Sequence, residues 1–156
     1  RTSSMARKWF ADAVPPHTDA VGPHHPLAAA ANTAVTTVMT SMPSLGFKPA
    51  AEAVLQLAIA ANGHLNETAP WSRMKQPDQE AEVGDDLYAV LEATRIVGLL
   101  LSPLLPELST RILEQLGTSI NPDRWTKQLS WGGLVSGASL PKPSPVMQRL
   151  ELEESL

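Results

Sequence analysis

Fourteen prolines in a chain of 156 residues set the tightest limit on its fold. At roughly 9% they are about twice the usual share, and proline breaks a helix interior by removing an N–H and clashing with the preceding turn. The segments between them are rich in Ala and Leu and poor in aromatics, with four Trp, two Phe and one Tyr. Such a chain favours helices bounded by prolines over a β-sandwich, which draws on β-branched and aromatic residues. With 43% apolar residues it can bury a core, and its length suits one domain. No cysteine is present, which excludes a disulfide framework, a cysteine-based zinc site and a thiol nucleophile. No apolar run approaches the ~18 residues of a membrane span. The chain opens on Arg1 rather than Met and enters a helical pattern at once, so the expectation is a piece of a larger protein.

The net charge of −4 is unevenly spread. Residues 1–75 carry six Lys/Arg against four acids, giving +2, while residues 76–156 carry six against twelve, giving −6. A net-negative domain repels phosphate as a whole. Any nucleic-acid contact is therefore expected in the first half, and through bases more than backbone.

Five helices are expected. The first covers Arg1–Ala13, with Met5, Trp9 and Phe10 on one face, and Val14-Pro15-Pro16 stops it. His17–Pro26 is a loop, and Leu27–Met42 reads as the second helix, although its Val35-Thr36-Thr37-Val38 run would suit a strand. Lys48-Pro49 opens the third, whose stripe of Val54, Leu57, Ala58, Ala61 and Leu65 is amphipathic; it stops near Asn66. The fourth runs from about Gln79 to Leu101, and the fifth buries Leu108, Ile112, Leu113 and Leu116 before Gly117. The expected architecture is one all-α domain over 1–156, a helical bundle to about 117 and an irregular tail from about 118. Trp9 reads as core, and Trp125 and Trp131 as pins between tail and bundle. Arg95, inside an apolar helix, is expected to snorkel or pair with an acid, with a role at an interface as the alternative.

No catalytic constellation emerges. His24-His25 sits in a Pro-flanked loop without a third metal ligand. Asp85-Asp86 are adjacent on a helix and diverge by about 100°, which suits a solvated first turn and not a carboxylate pair. Gly132-Gly133 lacks the strand and helix of a phosphate loop, and no serine sits in a nucleophile elbow. The informative segment is Ala60–Lys75. Pro70 biases Ala69 away from the α region, and Thr68 is placed to cap a short new helix that opens with Pro70 and Trp71. An indole at such a corner, with Arg73 and Lys75 following, is suited to stacking an unpaired base and holding its phosphate. The structural alternative is that Trp71 fills the gap between the third and fourth helices.

The Ala58, Asn62 and Asn66–Trp71 pattern resembles the anticodon-binding domain of methionyl-tRNA synthetase, in its bacterial and cyanobacterial form. So do Arg1-Thr2-Ser3-Ser4-Met5, the Leu100–Pro106 stretch with Leu116-Gly117, Trp131-Gly132-Gly133-Leu134, and Lys142-Pro143 with Pro145. Five such segments in order cover essentially the whole chain. Two departures stand out. The family's Asn four residues before Arg1 lies outside the chain, and Pro145-Val146-Met147-Gln148 replaces a Pro-Leu-Phe-Pro-like tail.

The resemblance implies a class I synthetase anticodon-binding domain that reads the wobble cytosine of a CAU anticodon. Trp71 of the Pro70-Trp71 pair would stack the base and Arg1 would contact its edge, with Arg73 and Lys75 beside them. Cytosine offers O2 and N3 acceptors to a guanidinium, whereas uracil offers an N3–H that faces it unfavourably. It further implies a cytoplasmic ATP-dependent methionine–tRNA ligase as the parent, with ATP and Mg used by a catalytic domain that this chain lacks. The domain itself would need no cofactor or metal, and would hold no catalytic residue. The partners implied are the anticodon loop of tRNA(Met) and that catalytic domain, with no membrane and no DNA. The rivals are a free-standing helical tRNA-binding or assembly factor, and a protein–protein module anchored by Trp71.

Overall fold

The computed structural model describes residues 1–76 and 78–147. Among them seven α-helices follow in order: α1 (Thr2–Trp9), α2 (Pro26–Ser41), α3 (Phe47–Thr68), α4 (Pro70–Arg73), α5 (Glu80–Leu101), α6 (Pro106–Glu114) and α7 (Trp125–Gln128). Short 3-10 turns lie at Asp19–Val21, Met42–Ser44 and Pro122–Arg124, and the described residues contain no strand, only a bridge between Ala13 and Ser139. The prolines bound the helices: Pro70 opens one as expected, and Pro26 and Pro106, expected as loop end and breaker, open one each, where the missing N–H has no partner to lose. The Val35–Val38 run is helical, because Ala31, Ala34 and Val38 place a small-residue face against the core.

α5 is the centre. It packs on α3, α6, α2 and α1, and between Val83 and Leu100 almost every side chain is buried. α3 lays Val54, Leu57, Ala61 and Leu65 against it, and α6 contributes Leu113, with Leu116 just beyond its end. Leu108 and Ile112 are half-buried.

Within this apolar centre sits a charged pair. Glu92 is fully buried and Arg95 nearly so. Arg95 donates through Nε to Glu92 Oε2 at 2.9 Å and through Nη2 to Oε1 at 2.6 Å. The remaining capacity of both goes to the tail: Glu92 accepts the backbone N–H groups of Gly132, Gly133 and Leu134 at 2.8, 2.9 and 3.0 Å. Arg95 donates to the carbonyls of Gln128 and Ser130 at 2.6 and 2.7 Å. Gly132 has a φ of +88°, a left-handed conformation that favours glycine. At Gly133 a Cβ would lie 2.4 Å from Arg95 Cζ, and that guanidinium is pinned. The Trp indoles complete the attachment, Trp125 Nε1 donating to Leu99 O and Trp131 Nε1 to Val21 O.

One boundary differs clearly from expectation. α1 ends at Trp9, four residues before Ala13, because the segment after it pairs with the tail. Val14 N–H donates to Ala138 O, Gly137 N–H to Val14 O and Leu140 N–H to Asp12 O, while Ala11 and Asp12 turn the chain with φ of 51° and 59°. From residue 118 to residue 147 the tail is irregular apart from the Pro122–Arg124 turn and α7; of its altered end, Gln148 lies outside the described residues.

Glu92→Gln should lower folding stability by about 3–5 kcal/mol in urea denaturation, because it leaves a buried guanidinium uncompensated. Gly133→Ala should cost at least about 1 kcal/mol by overpacking against that guanidinium.

Candidate nucleic-acid interface

The corner after α3 is built from Ala69. This residue has φ 42° and ψ 58°, ends α3 with its N–H on Leu65 O, and at the same time starts α4. A left-handed alanine costs about 1–2 kcal/mol, so neighbouring contacts must over-determine it. Thr68 is not the cap: it is the last residue of α3, and its hydroxyl donates back to His64 O at 2.9 Å. A hydroxyl inside the final turn has a carbonyl four residues back within reach, and that bond wins over capping forward.

Pro70 is buried and Trp71 half-buried against the edge of the core. The structure brings Trp71 and Arg1 together: Arg1 Cζ lies 4.2 Å from the indole centroid, although seventy residues separate them in sequence. A cation over an indole face at an exposed site contributes about 0.5–1 kcal/mol. Lys75 is exposed one turn further on. Beside Thr2 a cavity of about 200 Å³ opens between α3 and α5, with Ala58, Leu65 and Val90 as walls and the polar groups of Asn62 and Thr94 at its lining.

Arg73 is placed differently from its neighbours. Its guanidinium turns inward, donating to Asp86 Oδ2 at 2.6 Å, to Gln79 Oε1 at 3.2 Å and to Glu82 Oε2. Asp86 also meets His64 Nε2 at 3.1 Å and keeps only 13% of its side chain exposed, so it is not part of a solvated first turn. Asp85, one residue earlier, accepts both the N–H and the hydroxyl of Thr18, at 2.6 and 2.7 Å. The two aspartates diverge as expected, but each is occupied by a different neighbour.

His25 is likewise more than a loop residue. Its Nδ1 caps α2 by accepting Leu27 N–H at 3.1 Å, its ring meets His64 edge-on at 5.1 Å, and it lies parallel to Trp131 at 6.3 Å. Burial pushes its pKa below the ordinary histidine value, His64 adds to the shift, and Asp86 and Asp85 oppose it. On the other flank His17 stacks on Tyr88 at 3.7 Å, and burial, with the Glu92 charge nearby, raises the Tyr88 hydroxyl to about 12. Reading the sequence missed His64, Asp86, Glu82 and Gln79 as supports of the corner. Their available signal was the Glu82–Asp86 spacing of four, one face of a helix.

A family model described as the anticodon binding domain of methionyl tRNA ligase matches residues 14–155, a stretch that holds the Trp71 corner but not α1. The methionine–tRNA ligase of Synechocystis is 37% identical over 97% of this chain and 30% of its own length. The chloroplastic/mitochondrial methionine–tRNA ligase of Arabidopsis thaliana is 38% identical over 76% of this chain and 20% of its own. The apo form of Mycobacterium tuberculosis methionyl-tRNA synthetase superposes with a TM-score of 0.85 at 27% identity, covering 98% of this chain and 31% of that one. The chain thus spans under a third of the length of these relatives.

The depressed His25 pKa has a consequence for folding. The unfolded chain binds this proton more readily than the folded one, so stability is held at neutral pH and lost as pH falls through the ordinary histidine range near ~6.5. His25→Asn keeps a cap acceptor for Leu27 and should lose less stability between about pH 7.5 and about pH 5.5 than the parent, measured by urea midpoints.

Proposed function

Since the chain belongs to the family of anticodon-binding domains of methionyl-tRNA ligase, we propose that it binds the anticodon arm of tRNA(Met) and reads the CAU triplet with the Arg1–Trp71 corner. One observation carries the reading: the guanidinium held 4.2 Å over an indole at a corner that opens to solvent. An unpaired base stacks on an indole face, and a cation held against the same indole is placed to meet the edge of that base. The N–H donors of the guanidinium suit the O2 and N3 acceptors of cytosine. Trp71 then supplies affinity and Arg1 discrimination, with Pro70 fixing the turn and Lys75 meeting phosphate. Arg73 contributes through the turn it holds, because its donors face carboxylates of the same chain.

The acidic second half is compatible with this use. Glu82 and Asp86 both pair with Arg73, so these two acids of the second half do not stand as unpaired negative charge beside α4. The parent is proposed to be an ATP-dependent, cytoplasmic methionine–tRNA ligase. Its methionine and its ATP with Mg would be handled by the catalytic domain, and this domain would act by holding the anticodon.

Trp71→Ala should weaken binding of a CAU stem-loop by about 1–3 kcal/mol, roughly 5- to 150-fold in Kd, with a small loss of thermal stability. Trp71→Phe should keep most of the preference for cytosine over uracil while lowering affinity for both, and Arg1→Ala should narrow that preference. Lys75→Ala should weaken both loops alike and reduce the salt slope by about one. Unchanged affinity in Trp71→Ala together with a melting temperature lower by many degrees would show an indole used only as core.

A further inference from the structure

α4 is a single turn of four residues, too short to hold its own direction. It leaves α3 through the strained Ala69, and Ala69 provides no side-chain cap. The angle at which Trp71 is presented must therefore be set from outside the turn.

One carboxylate is placed to do this. Asp86 Oδ2 takes Arg73, the last residue of α4, at 2.6 Å, while its Oδ1 meets His64, on the last full turn of α3, at 3.1 Å. The two contacts straddle Ala69, so a single side chain on α5 ties together the helices on either side of the strained residue. Asp86, His64 and Arg73 expose only 13%, 18% and 25% of their side chains, and a charge pair so sheltered is screened less than a surface one. Gln79 and Glu82 complete the shell around the guanidinium, and Thr68 ties the end of α3 back to His64 O.

We propose that Asp86 is a positioning residue for anticodon reading: without touching RNA, it fixes the hinge at Ala69 through His64 and Arg73 and so holds Trp71 where Arg1 meets it. This rests on the reading of Trp71 as the base platform.

The test is a double-mutant cycle in the full-length protein. Asp86→Asn preserves shape and removes the charge; Arg73→Gln removes the other partner and guards against a defect peculiar to one substitution. Each should weaken binding of a CAU stem-loop about fivefold or more in the parent background, and have little further effect once Trp71 is alanine. A merely structural role would lower affinity and melting temperature by the same amounts in both backgrounds, and that result would overturn the proposal. A second readout needs no RNA: Asp86→Asn should shift the indole N–H resonance of Trp71 and leave that of Trp125, bonded to Leu99 O, in place. An unmoved Trp71 resonance overturns the proposal. If Trp71→Ala weakens binding and Asp86→Asn does not, the positioning role alone fails. If Trp71→Ala itself leaves binding unchanged, the base-platform reading fails and the positioning role falls with it.

Discussion

A fully buried carboxylate, Glu92, is the constraint around which the rest of the molecule is arranged. An unpaired charge in such a place would cost several kcal/mol, so its presence demands that every lone pair be answered. Two of its partners come from Arg95 on the same helix, and the other three are backbone N–H groups of residues 132–134, forty residues away. Arg95 is answered in the same way by carbonyls of residues 128 and 130. The tail, which has little regular structure of its own, is thereby fixed on α5 by electrostatics, and its remaining contacts follow. Tyr88 donates to Leu134 O at 2.9 Å, and the 137–140 stretch pairs with 12–14 and cuts α1 short.

The same helix positions the corner. Successive residues of α5 divide the work: Asp85, Tyr88, Glu92 and Arg95 fall at intervals of three and four and face the loop after α1 and the tail, while Glu82 and Asp86 face α3 and α4. One buried helix with two polar stripes therefore fixes both a surface made of irregular chain and a surface presenting an indole. A rigid scaffold carrying the contact residues on a turn at its edge is the usual division between stability and binding.

The helices were legible because proline and the 3.6-residue period are local signals. Pro70 marked the start of α4, Pro49 the first turn of α3, and the Val54–Leu65 stripe the buried face of α3. The tail's hold on residues 12–14 was not legible, because it joins segments about 125 residues apart and is made by main-chain groups common to every residue. Gly132-Gly133 lacks the strand and helix of a phosphate cradle, as its sequence neighbours indicate. It is nevertheless an anion-binding turn, with the anion supplied from within by Glu92. A readable clue was Arg95 with an acid three residues before it, since a charged pair in an otherwise apolar helix needs partners from elsewhere. At the corner, Trp71 and Pro70 could be picked out by type and spacing, whereas the inward turn of Arg73 depends on where α5 begins relative to α4, a tertiary fact.

The most direct measurement is the indole region of a ¹H–¹⁵N spectrum of the protein titrated with a CAU anticodon stem-loop. Four tryptophans give four signals, and they sit in different roles. Trp125 and Trp131 donate to carbonyls inside the structure, Trp9 packs on the core, and Trp71 stands under Arg1. The expected result is a saturable shift of the Trp71 signal, larger for the CAU loop than for a UAU loop, with Trp125 and Trp131 unmoved. A shift confined to Trp125 or Trp131, with Trp71 silent, would place the RNA on the tail and contradict the assignment of the corner as the reading surface.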